Sequence, residues 1–316
     1  MTDHIIIGQV KQETSTLAKY VNNNSSEFGI SNVINPDKYI NIVRTGFTWS
    51  DVPGTLCLAA NHRYMNEALS NSMIAGIITK SEYMNRFGNA GKFVIFSESA
   101  AELFYALHNQ EIHNQFNLNV VVDHYISPSA QIADSAIIND NVNIGDNVVI
   151  HDGCMIFPNS ILGNDCEIHA GSLIGTAGFF SKNIQGVKTH IRHYGGVKLG
   201  SNCIIHARTN ISRSVNCGEF TELADNIHVG IGSNIAHDCK IGKNSDISAG
   251  VILAGRVKLG KGCWIGAGSL LSNAIHVGDN VRINIGSVVI NDVKSGTMLS
   301  GNFAYDHKSH LRDHLK

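Results

Sequence analysis

From Ile126 onward, every sixth residue of the chain is aliphatic. The series runs Ile126, Ile132, Ile138, Ile144, Ile150, Ile156, Leu162, Ile168 and Ile174. It breaks, then resumes at Leu199 and continues at every sixth position to Val289. Fifteen of the sixteen positions in the second run are Ile, Leu or Val, and the exception is Cys217. The fourth residue after each aliphatic one is small or slim, as at Ala130, Ala136, Cys154, Ser160, Cys166, Ser172, Cys203, Ser233, Cys239, Ser245, Cys263 and Ser269. The residue directly after it is often glycine (Gly145, Gly163, Gly200, Gly230, Gly242, Gly260, Gly266, Gly278), which reads as the turn. A period of six is neither the 3.6 of a helix nor the 2 of a simple strand. It predicts a parallel β-helix of short strands, with one hexad per face and three hexads per coil. About eight coils at about 4.8 Å each give a prism roughly 35–40 Å long.

Two segments stand outside the pattern. The phase break from about 176 to 197 predicts a loop inserted into the repeat, and loops on a rigid scaffold often carry function. Residues 1–123 are different in kind, holding 13 of the 22 aromatic residues. Runs at 73–79 and 92–97 predict buried strands. The stretch 97–110 predicts a helix, with serine at its start and acidic residues in its first turn. The domain reading is therefore 1–123, an α/β domain; 124–294, the repeat; and 295–316, a short tail that could form one terminal helix.

Composition narrows the field. Gly (31) and Asn (33) make up a fifth of the chain, against four Pro, and both tolerate left-handed backbone angles, so the chain turns often. A net charge of -2 with 16% charged residues does not suit a nucleic-acid backbone. With no apolar run of about 18 residues and no leader-like start, the expectation is a cytoplasmic protein without a membrane span. Seven cysteines without a CxxC, six of them on the two inward positions of the repeat, read as packing residues rather than a disulfide or zinc framework.

The sharpest chemical signal is His237 in Ile235-Ala236-His237-Asp238. In strictly periodic coils its neighbours lie three hexads away on either side, at Glu219 and Gly255. A carboxylate beside a histidine suits a general base, and a glycine N–H suits an oxyanion. His151 and His169 are also one coil apart, but with no HxxxxH pair in the repeat they read as a turn pair. His190 and His193 have no acidic partner nearby, so no metal is expected.

The chain resembles the hexapeptide-repeat acyltransferases, in particular the family that N-acylates the lipid A precursor, the UDP-3-O-acylglucosamine N-acyltransferases. The stretches that carry this are IAHDCKIG (235–242), SAGVILAGRVKLGKGCWIG (248–266), TNISR (209–213), GTAGFF (175–180) and GTLCLAANHRYM (54–65). The resemblance implies a left-handed β-helix, whereas the crossover rule alone would give the right hand. It implies His237 as catalytic base and Gly255 as oxyanion donor. Asn61, Tyr64 and Leu58 fall on nucleotide-contacting positions, Leu58 replacing a phenylalanine. Thr176, Gly178, Phe179 and Phe180 would cover the acyl or pantetheine arm. A homotrimer with sites between prisms is implied as well. Ala177 and Ala274 depart from the family pattern. Little of the chain follows Gly301, where the lipid A enzyme has a longer tail that engages acyl carrier protein. The expectation is therefore a relative that moves a short acyl or hydroxyacyl group from coenzyme A to the amine of a dTDP- or UDP-linked amino-deoxysugar, with no permanently bound cofactor. Two alternatives stand beside it: the acyl-carrier-protein-dependent lipid A enzyme, and a non-catalytic β-helix that binds a nucleotide or sugar.

Overall fold

The hexads form three parallel ladders of nine, eight and eight strands. In the first, Ile132, Ile150, Ile168, Ile205, Val229, Ile247, Ile265, Ile283 and Leu299 are successive partners. In the second they are Ile138, Ile156, Ile174, Ile211, Ile235, Leu253, Leu271 and Val289. In the third they are Ile126, Ile144, Leu162, Leu199, Leu223, Ile241, Leu259 and Val277. The chain visits the ladders in this order, so the expected parallel β-helix is what forms. The computed structural model describes residues 16–87, 91–109 and 122–301. The tail expected to be helical lies outside them, but the ladder itself runs past 294, to a strand at Met298–Leu299.

From Ile144 to Val289 each coil buries its three aliphatic ladder residues, which are no more than 6% exposed. Fully burying such a side chain contributes about 1.5–3 kcal/mol. Cys154, Cys166, Cys203, Cys239 and Cys263 pack into the same core. Burial raises the Cys239 thiol to about 12.

The turns are not built as the sequence suggests. Apart from Gly175, where the chain leaves the coil, the glycines that directly follow the aliphatic residues have ordinary φ. They are needed because coils approach closely: a Cβ on Gly242 would lie 2.5 Å from the backbone carbon of Gly260, and one on Gly163 would lie 2.6 Å from Gly200. The left-handed corners fall two residues later, to asparagine, as at Asn141, Asn147, Asn202 and Asn226, and to a second set of glycines, as at Gly153, Gly171, Gly232 and Gly250.

Two segments leave the coil. Leu162 pairs with Leu199, so one coil exceeds three hexads by the length of segment 177–195. Ile211 pairs with Ile235, so the next is one hexad too long, by segment 214–219. Both segments belong with the N-terminal residues to one compact unit; residues from 122 onward without them form the other. Cys217 therefore does not occupy an inward ladder position, although it falls in phase. The first segment is not a plain loop. Ser181–Ile184 and Val187–His190 form an antiparallel hairpin around left-handed Gln185 and Gly186.

In the N-terminal unit, β1 (Ile30–Ile34), β2 (Arg44–Thr45), β3 (Thr55–Ala59), β4 (Ile74–Thr79) and β5 (Phe93–Ser97) form a sheet of order β1-β5-β4-β3-β2. Only the β1–β5 pair is antiparallel. β3 and β5 are buried along their whole length, as expected for strands covered on both faces. With α1 spanning Thr16–Asn23, Cys57 and Ala59 pack with Met65 and Ala68 of α2 (His62–Ser70). Leu56 and Leu58 pack with Leu103, Phe104 and Leu107 of α3 (Ala100–Asn109), where Ile191 and Val215 of the two extra segments join them.

All seven cysteines are buried and reduced. Burial that raises a thiol pKa lowers the thiolate fraction at any pH below it. At pH 8 the native chain should release less than one equivalent of thionitrobenzoate from Ellman's reagent within minutes, and all seven after denaturation. Fast reaction of several thiols in the native state would contradict this packing.

Candidate functional site

Two residues after each strand of the second ladder, the chain turns toward the third. In register, the residues at this corner are His237, Gly255 and Asn273, because Ile235, Leu253 and Leu271 are ladder partners. The histidine and the glycine thus stack as the three-hexad step requires. The imidazole lies against the glycine: a Cβ on Gly255 would lie 2.7 Å from His237 Nε2 and 3.1 Å from Asn273 Oδ1. Asn273 is the same three-hexad step taken once more from Gly255. The N–H groups of the residues on either side of Gly255 are used, Ala254 donating to Leu271 O and Arg256 to His237 O. Among the described residues no hydrogen bond is donated by the Gly255 N–H.

The carboxylate that holds the histidine is its own neighbour. Asp238 Oδ2 lies 2.7 Å from His237 Nδ1, with the aspartate 5% and the histidine 15% exposed. Asp238 has φ 61°, a left-handed bend. Its N–H donates to Thr221 Oγ1 at 2.8 Å, which pins the bend to the preceding coil. A carboxylate accepts, so Nδ1 carries the proton of a neutral imidazole and Nε2 the lone pair. One coil back in register is Arg213, whose Nε donates to Gly175 O and whose guanidinium pKa is lowered by burial.

Glu219 needs a correction. The upstream partner of Ile235 is Ile211, four hexads back rather than three. The strict step that sets Glu219 beside His237 therefore does not hold there. Glu219 ends the shorter extra segment. Its Oε1 accepts from Ser50 Oγ at 2.5 Å and from the Asp51 N–H at 3.1 Å, and its Oε2 accepts from Asn216 Nδ2 at 3.1 Å.

The N-terminal unit has a cleft of about 120 Å³ lined by Phe47, Trp49, Leu58, Tyr64, Tyr105, Phe180 and Lys182, among others. Leu58 and Tyr64 come together here as expected. Asn61 does not line it; its Oδ1 caps α2 by accepting from the Tyr64 N–H at 3.1 Å. Phe180, expected on the acyl arm, belongs to this cleft, with its ring 5.6 Å from that of Phe47 and Lys182 Nζ 5.5 Å above it. Phe47 stacks on Trp49 at 4.7 Å. Rings from three other segments thus surround Leu58, where the resemblance implies a single phenylalanine. Phe179 is 88% exposed. Gly178 stands beside it, half-buried, in the same extra segment. Thr176 stays on the coil, donating to Asn210 Oδ1 at 2.6 Å.

Gly255 has an ordinary φ, so alanine is conformationally allowed there, and its tightest conflict is with the imidazole. Gly255→Ala should keep the circular dichroism of the parent while shifting the His237 ring resonances in an NMR spectrum. An unchanged His237 signal would show that the ring does not rest on this glycine.

No protein-family profile matches the chain, and neither does any curated protein. Solved structures do. The chain is similar to the UDP-N-acetylglucosamine acyltransferase of Francisella novicida at 25% identity and TM-score 0.48, over 60% of this chain and 71% of that one. It is similar to that of Campylobacter jejuni at 24% and 0.44, over 58% and 81%. It is similar to that of Bacteroides fragilis at 24% and 0.42, over 60% and 78%.

Proposed function

We propose that the chain is an N-acyltransferase that moves a short acyl or hydroxyacyl group from coenzyme A to the amine of a dTDP- or UDP-linked amino-deoxysugar. The observation that carries this reading is the His237–Asp238 pair set against Gly255. The neutral amine attacks the thioester carbon. His237 Nε2 takes the proton that the amine must lose, and Asp238 stabilises the imidazolium that forms. The carbonyl oxygen becomes an oxyanion facing the Gly255 N–H, a donor not spent on backbone pairing. Collapse expels the coenzyme A thiolate, which His237 reprotonates, leaving the amide. The aromatic cleft of the N-terminal unit suits the flat base of a nucleotide, with Tyr64, Trp49 and Phe180 as stacking surfaces and Lys182 as a cation for phosphate.

The reading includes a homotrimer. The outward face of the second ladder carries Ile252, Leu270 and Val288 in register, 44%, 38% and 56% exposed. Ile231 and Ile285 add to this surface at 58% and 61%. The His237 corner directly follows these strands, so a second copy seated on that face would border the catalytic column. An apolar stripe of this kind is what an assembly interface uses.

Offered acetyl-CoA or a hydroxyacyl-CoA with dTDP- and UDP-amino sugars, the folded chain should form an amide product. His237→Ala should lower kcat by about 100-fold or more, and Asp238→Asn by a smaller factor with KM nearly unchanged, as for loss of a base and of its orienting partner. Phe180→Ala should raise the nucleotide-sugar KM and leave kcat. Full activity in His237→Ala would overturn the proposal, and turnover only with acyl carrier protein would replace the donor.

Light scattering should give three times the chain mass, and Leu270→Glu should give a single chain with an unchanged far-UV spectrum. A monomeric parent would overturn the trimer.

A further inference from the structure

The corner between the first and second ladders carries a feature that acyl transfer does not use. Coil by coil, the residue directly after the aliphatic one is Ala133, His151, His169, His206, Gly230, Ser248, Gly266 and Asn284. Small residues and asparagine serve this turn elsewhere, so the fold does not require histidine there. Three successive coils nevertheless place one. The rings of His151 and His169 stack at 4.9 Å and 13°, and those of His169 and His206 at 5.0 Å and 10°. The stack sets ring nitrogens of successive coils close together, where one ligand can reach more than one of them.

Glu167, two residues before His169, turns its carboxylate toward the stack. Its Oε1 lies 2.8 Å from His151 Nε2 and 3.5 Å from His169 Nε2. Among the described residues this is the one group of three whose donor atoms all lie within 4.8 Å of one another. The three groups are half-buried, 32–39% exposed, so an ion has access. Each is held by rigid backbone: Val149 and Glu167 are strand partners, and the His151 and His169 N–H groups donate to Ile168 O and Ile205 O.

We infer that His151, Glu167 and His169 form a binding site for a divalent first-row transition metal of the zinc type, clipping two successive coils together. Two imidazole nitrogens and one carboxylate oxygen are the donor set such ions take. With bonds of about 2.0–2.2 Å, tetrahedral ligands stand about 3.3–3.5 Å apart. The His169–Glu167 separation is already there; the His151–Glu167 pair has to open by about half an ångström, and the two rings, now parallel to within 13°, have to turn so that both in-plane lone pairs meet at the ion. The fourth position is left for water. Both histidines bind through a ring nitrogen lone pair, and the ion replaces the proton between His151 Nε2 and Glu167.

The test uses the full chain, stripped with a chelator and desalted. Titration with zinc chloride followed by calorimetry should show one equivalent per chain, and cobalt(II) should develop the intense visible bands of a four- or five-coordinate site. Thermal unfolding should move up with zinc. His169→Ala and Glu167→Gln should each weaken zinc binding by about 100-fold or more and abolish the cobalt spectrum. Glu167→Gln conserves shape, so it serves if the histidine variant does not fold. His190→Ala, at the HxxH pair, should still bind one equivalent. The inference is overturned if no stoichiometric ion binds, if cobalt shows only the pale spectrum of the hydrated ion, or if the Glu167 and His169 variants bind like the parent.

Discussion

The repeat unit depends on how closely one coil lies on the next. Successive backbones are linked by continuous parallel ladders, and the turn after each aliphatic residue leaves no room for a side chain where Gly163 meets Gly200 or Gly242 meets Gly260. Close approach fixes the register. Register in turn sorts every residue into a column, inward, outward or corner, that repeats once per coil. The aliphatic columns make the core, the outward columns make flat faces, and the corner columns are the places where side chains from different coils converge. Chemistry on such a scaffold is decided by which residues share a corner column.

Much of this is legible in the sequence because the period is so regular. Aliphatic residues at every sixth position carry the ladders and their number, and the cysteines of the core follow from the same phase. Glycine misleads for a physical reason. A glycine at a turn suggests positive φ, but here φ is ordinary and the constraint is the backbone of the next coil, which a one-dimensional pattern does not display. The left-handed corners lie two residues further on, where a second set of glycines, such as Gly153 and Gly250, shares the column with asparagine, whose short amide tolerates that bend. The excess of glycine visible in the composition therefore has two causes, and asparagine shares one of them.

The two extra segments show where periodicity stops being informative. The first is not a whole number of hexads, so it breaks the phase and is conspicuous. The second is one hexad long and keeps the phase, so it passes as one more face, with Cys217 in step and Glu219 seemingly one coil from His237. Only strand pairing distinguishes an extra hexad from a ladder hexad, and the pairing of Ile211 with Ile235 does so. On the downstream side, where no segment is inserted, the same reasoning sets Gly255 on His237 correctly. Asp238 is beyond reach for another reason. Neighbours in an extended chain point to opposite sides, and the aspartate returns to the imidazole only because its own φ is positive. The aromatic cleft draws on residues 47–64, on Tyr105 of α3 and on the hairpin segment around 180, and no local pattern joins them.

The two histidine-bearing corners obey one rule and differ in the residue that the next coil stacks on the histidine. At His237 the next coil contributes Gly255. With no side chain to fill the space, the ring lies against the glycine, whose N–H is not spent on a backbone pair. That arrangement suits a reaction in which one group loses a proton while an oxygen gains charge. At His151 the next coil contributes another imidazole with a carboxylate two residues before it, so two ring nitrogens face one carboxylate oxygen, and the proton that His151 Nε2 shares with Glu167 is the one an ion would replace. That arrangement suits a cation. The two corners therefore differ in the residue the next coil stacks on the histidine and in the carboxylate that attends the ring, Asp238 from the same coil at one and Glu167 from the next coil at the other.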